Sequence, residues 1–515
     1  MSAVAEPVSR AAFLKGAAGA ALAAAAAPAL AGPASAAPAG AGAPGADRPL
    51  HDLEITEAAR LLRTGRVTAV ELAQAVLERS AEVEGRVLTY ALEYDADLVL
   101  AQARRADRLL RRGRYLGPLH GVPIGLKDII FTKGIPTEGG SALYRGFRPD
   151  FDATCVTRLL EAGAVVVGKT HTIELASGDP APTNNPWDLQ RQPGGSSSGS
   201  ASGAAAGQFL AGIGTDTRGS IRGPSSNCGL TGYRTTYGMV SKHGVFPLSY
   251  TIDNVGPLAR SALDAAILVD VMGGHDPQDP TSRPVERYAL ARALRASEGR
   301  RPLRGLRVGV PAPGDYFRGV PSDDQLAAFD EAAAVLASLG ATVVSVRTST
   351  LPEPFTTLAS MTTPIVNSEV AAFQYDNWVE RAEAFTAPYR NQVNNGNVLP
   401  ASAYVQAQRA RSLWNEQFLA MFEDVDVFLH PEDDVAPYKD AERNPARPRP
   451  SSGSKRSPWS LTGSPSIAVP TGLSSAERMP LSMLVNAAPG DDELALRVVH
   501  AFQQVTDHHR LRPQL

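Results

Sequence analysis

Apolar residues from Ala69 to Glu84 (AVELAQAVLERSAEVE) recur at the three- and four-residue spacing of one helix face. Thr68 stands just before them with Glu71 three residues on, the pair that forms a capping box, so a helix is predicted from Ala69 that stops at Gly85. A second helix is expected over Asp95–Arg112, ended by Gly113. The pattern then changes to HGVPIGLKDIIF, an apolar run with a single lysine, which reads as a buried strand running into a loop. Asp152–Ala162 follows as helix and Ala164–Gly168 as strand, and the same order returns at Gln325–Leu339 and Ala341–Val346. The two copies, RLLEAGAVVVGK and VLASLGATVVSV, are a recurring helix–Gly–Ala–strand unit of α/β sheets rather than a duplicated domain. Ser261–Met272 reads as a further helix before the polar loop GGHDPQDPTSRP, and residues 434–458, rich in Pro, Arg and Ser, as a long irregular excursion. Alternating helices and apolar strands predict an α/β fold with a central mixed, mostly parallel β-sheet covered by α-helices on both sides.

The N-terminus is different material. Ser9–Lys15 (SRAAFLK) precedes an Ala/Gly run from Gly16 to Ala31 and a Pro/Ala/Gly-rich stretch to about Gly45. A basic start, a short apolar stretch and small residues at Ala29-Leu30-Ala31 or Ala34-Ser35-Ala36 resemble a cleavable export signal. Ala11 stands where a twin-arginine signal has its second arginine, so the export route is not specified. The expectation is a leader over residues 1–46, a folded domain over 47–515, and a secreted or periplasmic protein, cytoplasmic if the leader does not function. The Ala/Gly run, broken by Pro28, is too weakly apolar for a stable membrane anchor.

Composition narrows the rest. Over 515 residues the formal net charge is −3, with Lys and Arg spread along the chain, which points away from nucleic acid. Cys155 and Cys228 read as small core residues. The nine histidines show no metal-ligand spacing, and neither of the Gly/Ser loops at 194–199 and 214–222 has P-loop or GxGxxG spacing, so no metal and no cofactor is expected.

The densest Gly/Ser stretch, Pro193–Gly229, could be a solvated linker, yet Phe209, Leu210 and Ile213 run through it. Two glycine-rich loops joined by a buried element suit a site where backbone N–H groups must approach a substrate. The loops are GGSSSG at 194–199 and GTDTRGSIR at 214–222. The chain shows no Ser–His–Asp motif, which leaves a serine activated by something other than histidine. Lys127 has two readings. It snorkels at an edge strand, or it is buried, where desolvation lowers its pKa and makes its neutral amine a base.

These residues resemble the amidase signature family of serine hydrolases. The likeness is carried by GPLHGVPIGLKDIIFTKGIPTEGG at 117–140, PGGSSSGS at 193–200, the loop at 214–229, TTYGMVSKHGVFPLSYTIDNVGPLAR at 235–260 and LTGSPSIAVPTG at 461–472. The resemblance implies a single large α/β domain and a Ser–cis-Ser–Lys triad: Ser220 as nucleophile, Ser196 as the bridging serine with a cis peptide, Lys127 as base. It also implies an oxyanion hole from the backbone N–H groups of Thr217, Arg218, Gly219 and Ser220. Two positions depart from the family, Arg218 and Ser198, each where a glycine is common. Asp216 and Arg222 fall at family positions and read as loop braces, with substrate contact the second option. The implied activity is hydrolysis of carboxylic amide C–N bonds of a small molecule, with esters, anilides or carbamates as further substrates, by a monomer or homodimer. The alternatives are the glutaminase component of a tRNA-dependent amidotransferase and a non-catalytic binding protein on the same fold. Substrate-binding residues are not specified. Phe355, Met361, Phe373, Tyr375, Trp378 and Tyr389 either wall an apolar pocket or are plain core, and His430 reads as structural.

Overall fold

The computed structural model describes residues 48–315, 321–347, 354–432, 435–440 and 455–515. The expected leader, most of the 434–458 excursion and the Phe355 side chain lie outside them.

Helices α1 (Ile55–Arg63), α2 (Ala69–Val87) and α3 (Ala96–Arg111) precede β1 (Pro123–Lys127). The capping box forms: Glu71 N–H donates to Thr68 Oγ1 at 3.1 Å, and Thr68 N–H to the Glu71 carboxylate at 2.8 Å. The α2 helix does not stop at Gly85. It runs through it and ends at Leu88, whose φ is 56°. A glycine inside a helix costs only about 1 kcal/mol; the turn is instead set by the Glu84 carboxylate, which accepts the N–H groups of Thr89 and Tyr90 at 3.1 and 3.0 Å.

Then come α4 (Thr154–Glu161), β2 (Val165–Thr170), α5 (Ser198–Ala206), β3 (Ala211–Asp216), α6 (Arg222–Cys228) and β4 (Thr231–Arg234). They are followed by β5 (Asn254–Ala259), α7 (Ala262–Met272), α8 (Leu290–Ala296), β6 (Arg307–Pro311), α9 (Asp323–Ser338) and β7 (Thr342–Val346). The long helices α10 (Pro354–Arg381), α11 (Ala387–Val398) and α12 (Ala401–Leu419) lead to β8 (Val427–Pro431). The chain closes with α13 (Ser457–Leu461), β9 (Ser466–Leu473), β10 (Pro480–Asn486) and α14 (Asp492–Gln503).

The ten strands form one mixed sheet in the order β2-β1-β3-β5-β4-β9-β10-β8-β6-β7. Parallel pairing, expected from the helix–strand alternation, is confined to two triplets at its ends. In one, β1 pairs with β2 and β3; in the other, β6 pairs with β7 and β8. The middle is antiparallel, from β3–β5 through β4 and β9 to β10–β8. The short link from β9 to β10 is a hairpin connection, whereas parallel neighbours need a crossover such as a helix. Both helix–Gly–Ala–strand units end in an edge strand, and Gly163 (φ 84°) and Gly340 (φ 105°) make the left-handed turns.

Helix α5 is buried along its whole length. It can lie this close because Gly203 and Gly125 both face the Phe209 ring; a Cβ on Gly125 would stand 2.6 Å from ring atoms. The apolar run inside the Gly/Ser stretch is thus the core that carries α5 and β3 past β1, with Phe209, Leu210 and Ile213 fully buried. Cys155 and Cys228 are free thiols within the core.

Candidate active site

Lys127 is the last residue of β1, which lies between β2 and β3, so the edge-strand reading fails. Its side chain is fully buried. Its Nζ donates to Ser196 Oγ at 2.6 Å and to Thr215 Oγ1 at 2.8 Å. Burial lowers its pKa to about 7, against the opposing pull of the Asp253 and Asp216 charges. A neutral amine hydrogen-bonded to a serine hydroxyl is therefore available near neutral pH.

The peptide bond Gly195–Ser196 is cis. Gly195 packs against Ile173, whose N–H donates to the Ser196 carbonyl at 3.2 Å. Ser197 joins the two glycine-rich loops. Its N–H donates to the Ser220 carbonyl at 3.3 Å, and its Oγ donates to the Thr215 carbonyl at 3.2 Å. Ser198 closes the first loop, donating from Oγ to the Gly194 carbonyl at 2.7 Å. The structure thus brings Lys127, Ser196 and the Ser220 loop together. The Ser220 hydroxyl has no hydrogen-bond partner among the described residues and is partly exposed, as the side chain that meets an incoming ligand must be.

The second loop is organised by Asp216. Its fully buried carboxylate accepts from Gly219 N–H at 2.7 Å, Ile221 N–H at 3.2 Å, and Arg222 Nε and Nη2 at 2.9 and 3.0 Å. Arg234 adds an ion pair at 3.3 Å. Burial pushes the Asp216 pKa up, but Arg222 and Arg234 outweigh it and hold the carboxyl well below the usual range. Arg222 also ties the loop to the Arg456 carbonyl and to the hydroxyls of Ser460 and Ser466 at 2.8–3.1 Å. Asp216 and Arg222 therefore brace the loop. One cost of this bracing falls on the expected oxyanion donors, because the Gly219 N–H is engaged by Asp216. Gly219 has a φ of 126° and is covered by the Arg456 side chain, itself held by the buried Glu432 at 2.6 Å. The Ser220 N–H has no partner among the described residues. Arg218 is solvent-exposed, and desolvation by the surrounding protein lowers its pKa.

Thr215 and Asp253 escape sequence reasoning. The signal was the period-two alternation along TDT, which places Thr215 and Thr217 on one face and Asp216 on the other. Thr215 meets Lys127; Thr217 donates from Oγ1 to Asp253 at 2.5 Å. Thr215 and Asp253 also line a cavity of about 250 Å³ with Lys242, Val245 and Tyr250, and that cavity's lining includes neither Ser196 nor Ser220.

The aromatic set from the variable stretch does not form one wall. Met361 and Tyr389 are core, Trp378 is half-buried and donates to Asn394, and Phe373 and Tyr375 are exposed. A tighter aromatic group lies beyond β1, where Phe131 and Tyr144 pack on Phe246 with ring centroids 4.9 and 4.4 Å away. His430 is structural: it is buried, accepts from Trp459 Nε1–H at 3.0 Å, and burial lowers its pKa to about 3. Positive charge is less evenly spread than the sequence reading has it. Residues 283–307 hold eight arginines and two glutamates, and Arg283, Arg287 and Arg292 line one cleft of about 580 Å³. Among the described residues no three His, Cys, Asp or Glu side chains group as metal ligands, and no helix is long and apolar enough to cross a membrane.

The profile of the amidase family matches residues 71–496. The chain belongs to that family. It is an enzyme of carbon–nitrogen bonds, an amidase-family hydrolase on a single α/β domain with a mixed sheet. The A-type subunit of the glutamyl-tRNA(Gln) amidotransferase of Chloroflexus aurantiacus is 36% identical over 492 residues, covering 90% of this chain and 99% of that relative. Among solved structures, a chain from a vestigial complex that illuminates the origins of an s-triazine catabolic enzyme aligns with a TM-score of 0.80. It is 31% identical and covers 90% of this amidase and 100% of that chain. The native peptide amidase of Stenotrophomonas maltophilia aligns with a TM-score of 0.75 at 28% identity, covering 90% and 98%.

Proposed function

We propose that this amidase cleaves a small-molecule amide through an acyl-enzyme on Ser220, with Ser196 and Lys127 as the proton path. The observation that carries this reading is the 2.6 Å hydrogen bond from the buried Lys127 amine to Ser196 Oγ, beside the loop that holds Ser220. Neutral Lys127 takes a proton through Ser196 as Ser220 Oγ attacks the carbonyl carbon. The same proton passes to the leaving nitrogen as the C–N bond breaks, and water then hydrolyses the ester in a second pass of the same path. The developing oxyanion is assigned to the backbone N–H groups of Thr217, Arg218 and Ser220, since that of Gly219 is engaged by Asp216 at 2.7 Å.

A fluorophosphonate probe tests this directly. It should label the wild-type protein and not Ser220→Ala, which should also lose turnover in a screen of primary amides, anilides, peptide amides, carbamates and esters. Full activity in that variant overturns the assignment.

A second reading is the glutaminase component of a tRNA-dependent amidotransferase, favoured by the 36% identity to the Chloroflexus aurantiacus relative. The export-type N-terminus supports the first reading instead, as a secreted or periplasmic enzyme working as a monomer or homodimer. Glutaminase activity that appears only with further amidotransferase components would select the second; amide turnover by the isolated chain and secretion of the native protein select the first. The intact Lys127–Ser196 contact supports either over a non-catalytic binding protein.

A further inference from the structure

The oxyanion loop needs a fixed start as well as a fixed end. Its end is held by Arg222 and Asp216. Its start, Thr217, is held by a carboxylate that takes no part in the Ser–Ser–Lys set. Asp253 is buried, accepts the Thr217 hydroxyl at 2.5 Å on Oδ1, and accepts the N–H groups of Leu248 and Ser249 at 2.8 and 2.9 Å on Oδ2. The same turn is anchored outward. Glu369 on α10 accepts from Ser249 Oγ at 2.5 Å, Thr251 N–H at 3.1 Å, Thr251 Oγ1 at 2.8 Å and Tyr404 Oη on α12 at 2.9 Å. An unbroken line of hydrogen bonds thus runs from the long helices α10 and α12 to the first residue of the oxyanion loop.

We propose that Asp253 is the positioning residue of the oxyanion loop: it fixes Thr217 through its hydroxyl, and through Thr217 the direction of the N–H groups that follow. This rests on the oxyanion role proposed above for Thr217, Arg218 and Ser220. A misplacement of about 1 Å in such a loop is enough to cost roughly 100-fold in rate. Asp253 has a second, electrostatic effect, because its charge is the largest one favouring protonated Lys127. The other charges around these groups are Asp216 with its partners Arg222 and Arg234, Asp128 with Lys169 at 3.8 Å, and Lys242, which supports the Asp253 carboxylate. Asp216 keeps two arginine partners, so Asp253 is the one whose removal Lys127 should feel.

The test is a pair of variants read for kcat, KM and the acid limb of kcat/KM against pH. Thr217→Val removes the hydroxyl without touching charge: kcat should fall about 10- to 100-fold, KM should change less than about threefold, and the limb should stay. Thr217→Ser should restore most of the rate. Asp253→Asn should lower kcat similarly and move the limb to lower pH by about one unit, since a lysine relieved of an anion loses its proton more easily. A Thr217→Val variant with wild-type kcat, or Asp253→Asn with an unmoved limb, overturns the proposal. If Asp253→Asn does not fold, the Thr217→Val and Thr217→Ser pair decides alone. Probe labelling of wild type separates the two claims: if Ser220 is not labelled, the acyl-enzyme reading has failed; if it is labelled and kcat is unmoved, only the role of Asp253 has.

Discussion

The two parallel triplets at the ends of the sheet share a plan and differ in chemistry. Each has a central strand with glycine at its third position, PIGLK in β1 and RVGVP in β6, and each borders an edge strand made by a helix–Gly–Ala–strand unit. In β1 every residue is buried and the last is Lys127; in β6 the first is exposed and the last is Pro311. The two strand ends are both buried, and the residue there is what separates them. At the end of β1 burial brings the pKa of a lysine to about 7, whereas the end of β6 holds a proline with nothing to ionise. The glycines differ too. A Cβ on Gly125 would meet the Phe209 ring at 2.6 Å, while one on Gly309 would meet Val425, Phe428 and Val346 at 3.0–3.1 Å. The topology provides two similar places, and close packing of α5 over one of them creates the site.

This difference can be broken at several points. The largest effect is expected from Ser220→Ala, on the order of 10⁵-fold or more in kcat. Lys127→Met should lower kcat by roughly 10²- to 10⁴-fold, the usual weight of a general base, with KM little changed. Arg222→Ala leaves the Asp216 carboxylate buried with Arg234 as its remaining ion-pair partner; about 3–5 kcal/mol of stability should go, read by denaturant unfolding, with activity lost alongside. Gly125→Ala forces the Phe209 ring to move and should cost about 1–3 kcal/mol together with activity, whereas Gly309→Ala should cost less and leave kcat unchanged. Equal loss of activity in both glycine variants would remove the distinction between the triplets.

Much of this was legible in the sequence, and the limits have physical causes. The capping box at Thr68–Glu71 and the glycine-ended helices before β2 and β7 depend on neighbours a few residues apart, so local spacing suffices. The juxtaposition of Lys127 with Ser196, 69 residues away, was reached through motif resemblance, since no local rule places them together. What stayed hidden is long-range. The antiparallel middle of the sheet joins β4 to β9 across more than two hundred residues. Asp253 and Glu369 look like ordinary polar residues until the fold sets them against Thr217 and Thr251. The α2 helix outran Gly85 because a carboxylate, not the glycine, ends it.

Stability should carry the signature of the buried lysine as well. With a folded pKa near 7 and an unfolded value of about 10.4, the unfolded chain binds the extra proton across that window. The contribution of Lys127 to unfolding free energy therefore rises with pH from about 7 to 10, and Lys127→Met should flatten that rise.

The most direct test of the enclosed base is the pH profile of kcat/KM in wild type and Lys127→Met. The wild-type enzyme should gain activity through an apparent pKa near 7 as Lys127 loses its proton, and the residual activity of the variant should lack that limb. An identical limb in both proteins would show that some other group titrates, and would contradict the role of Lys127.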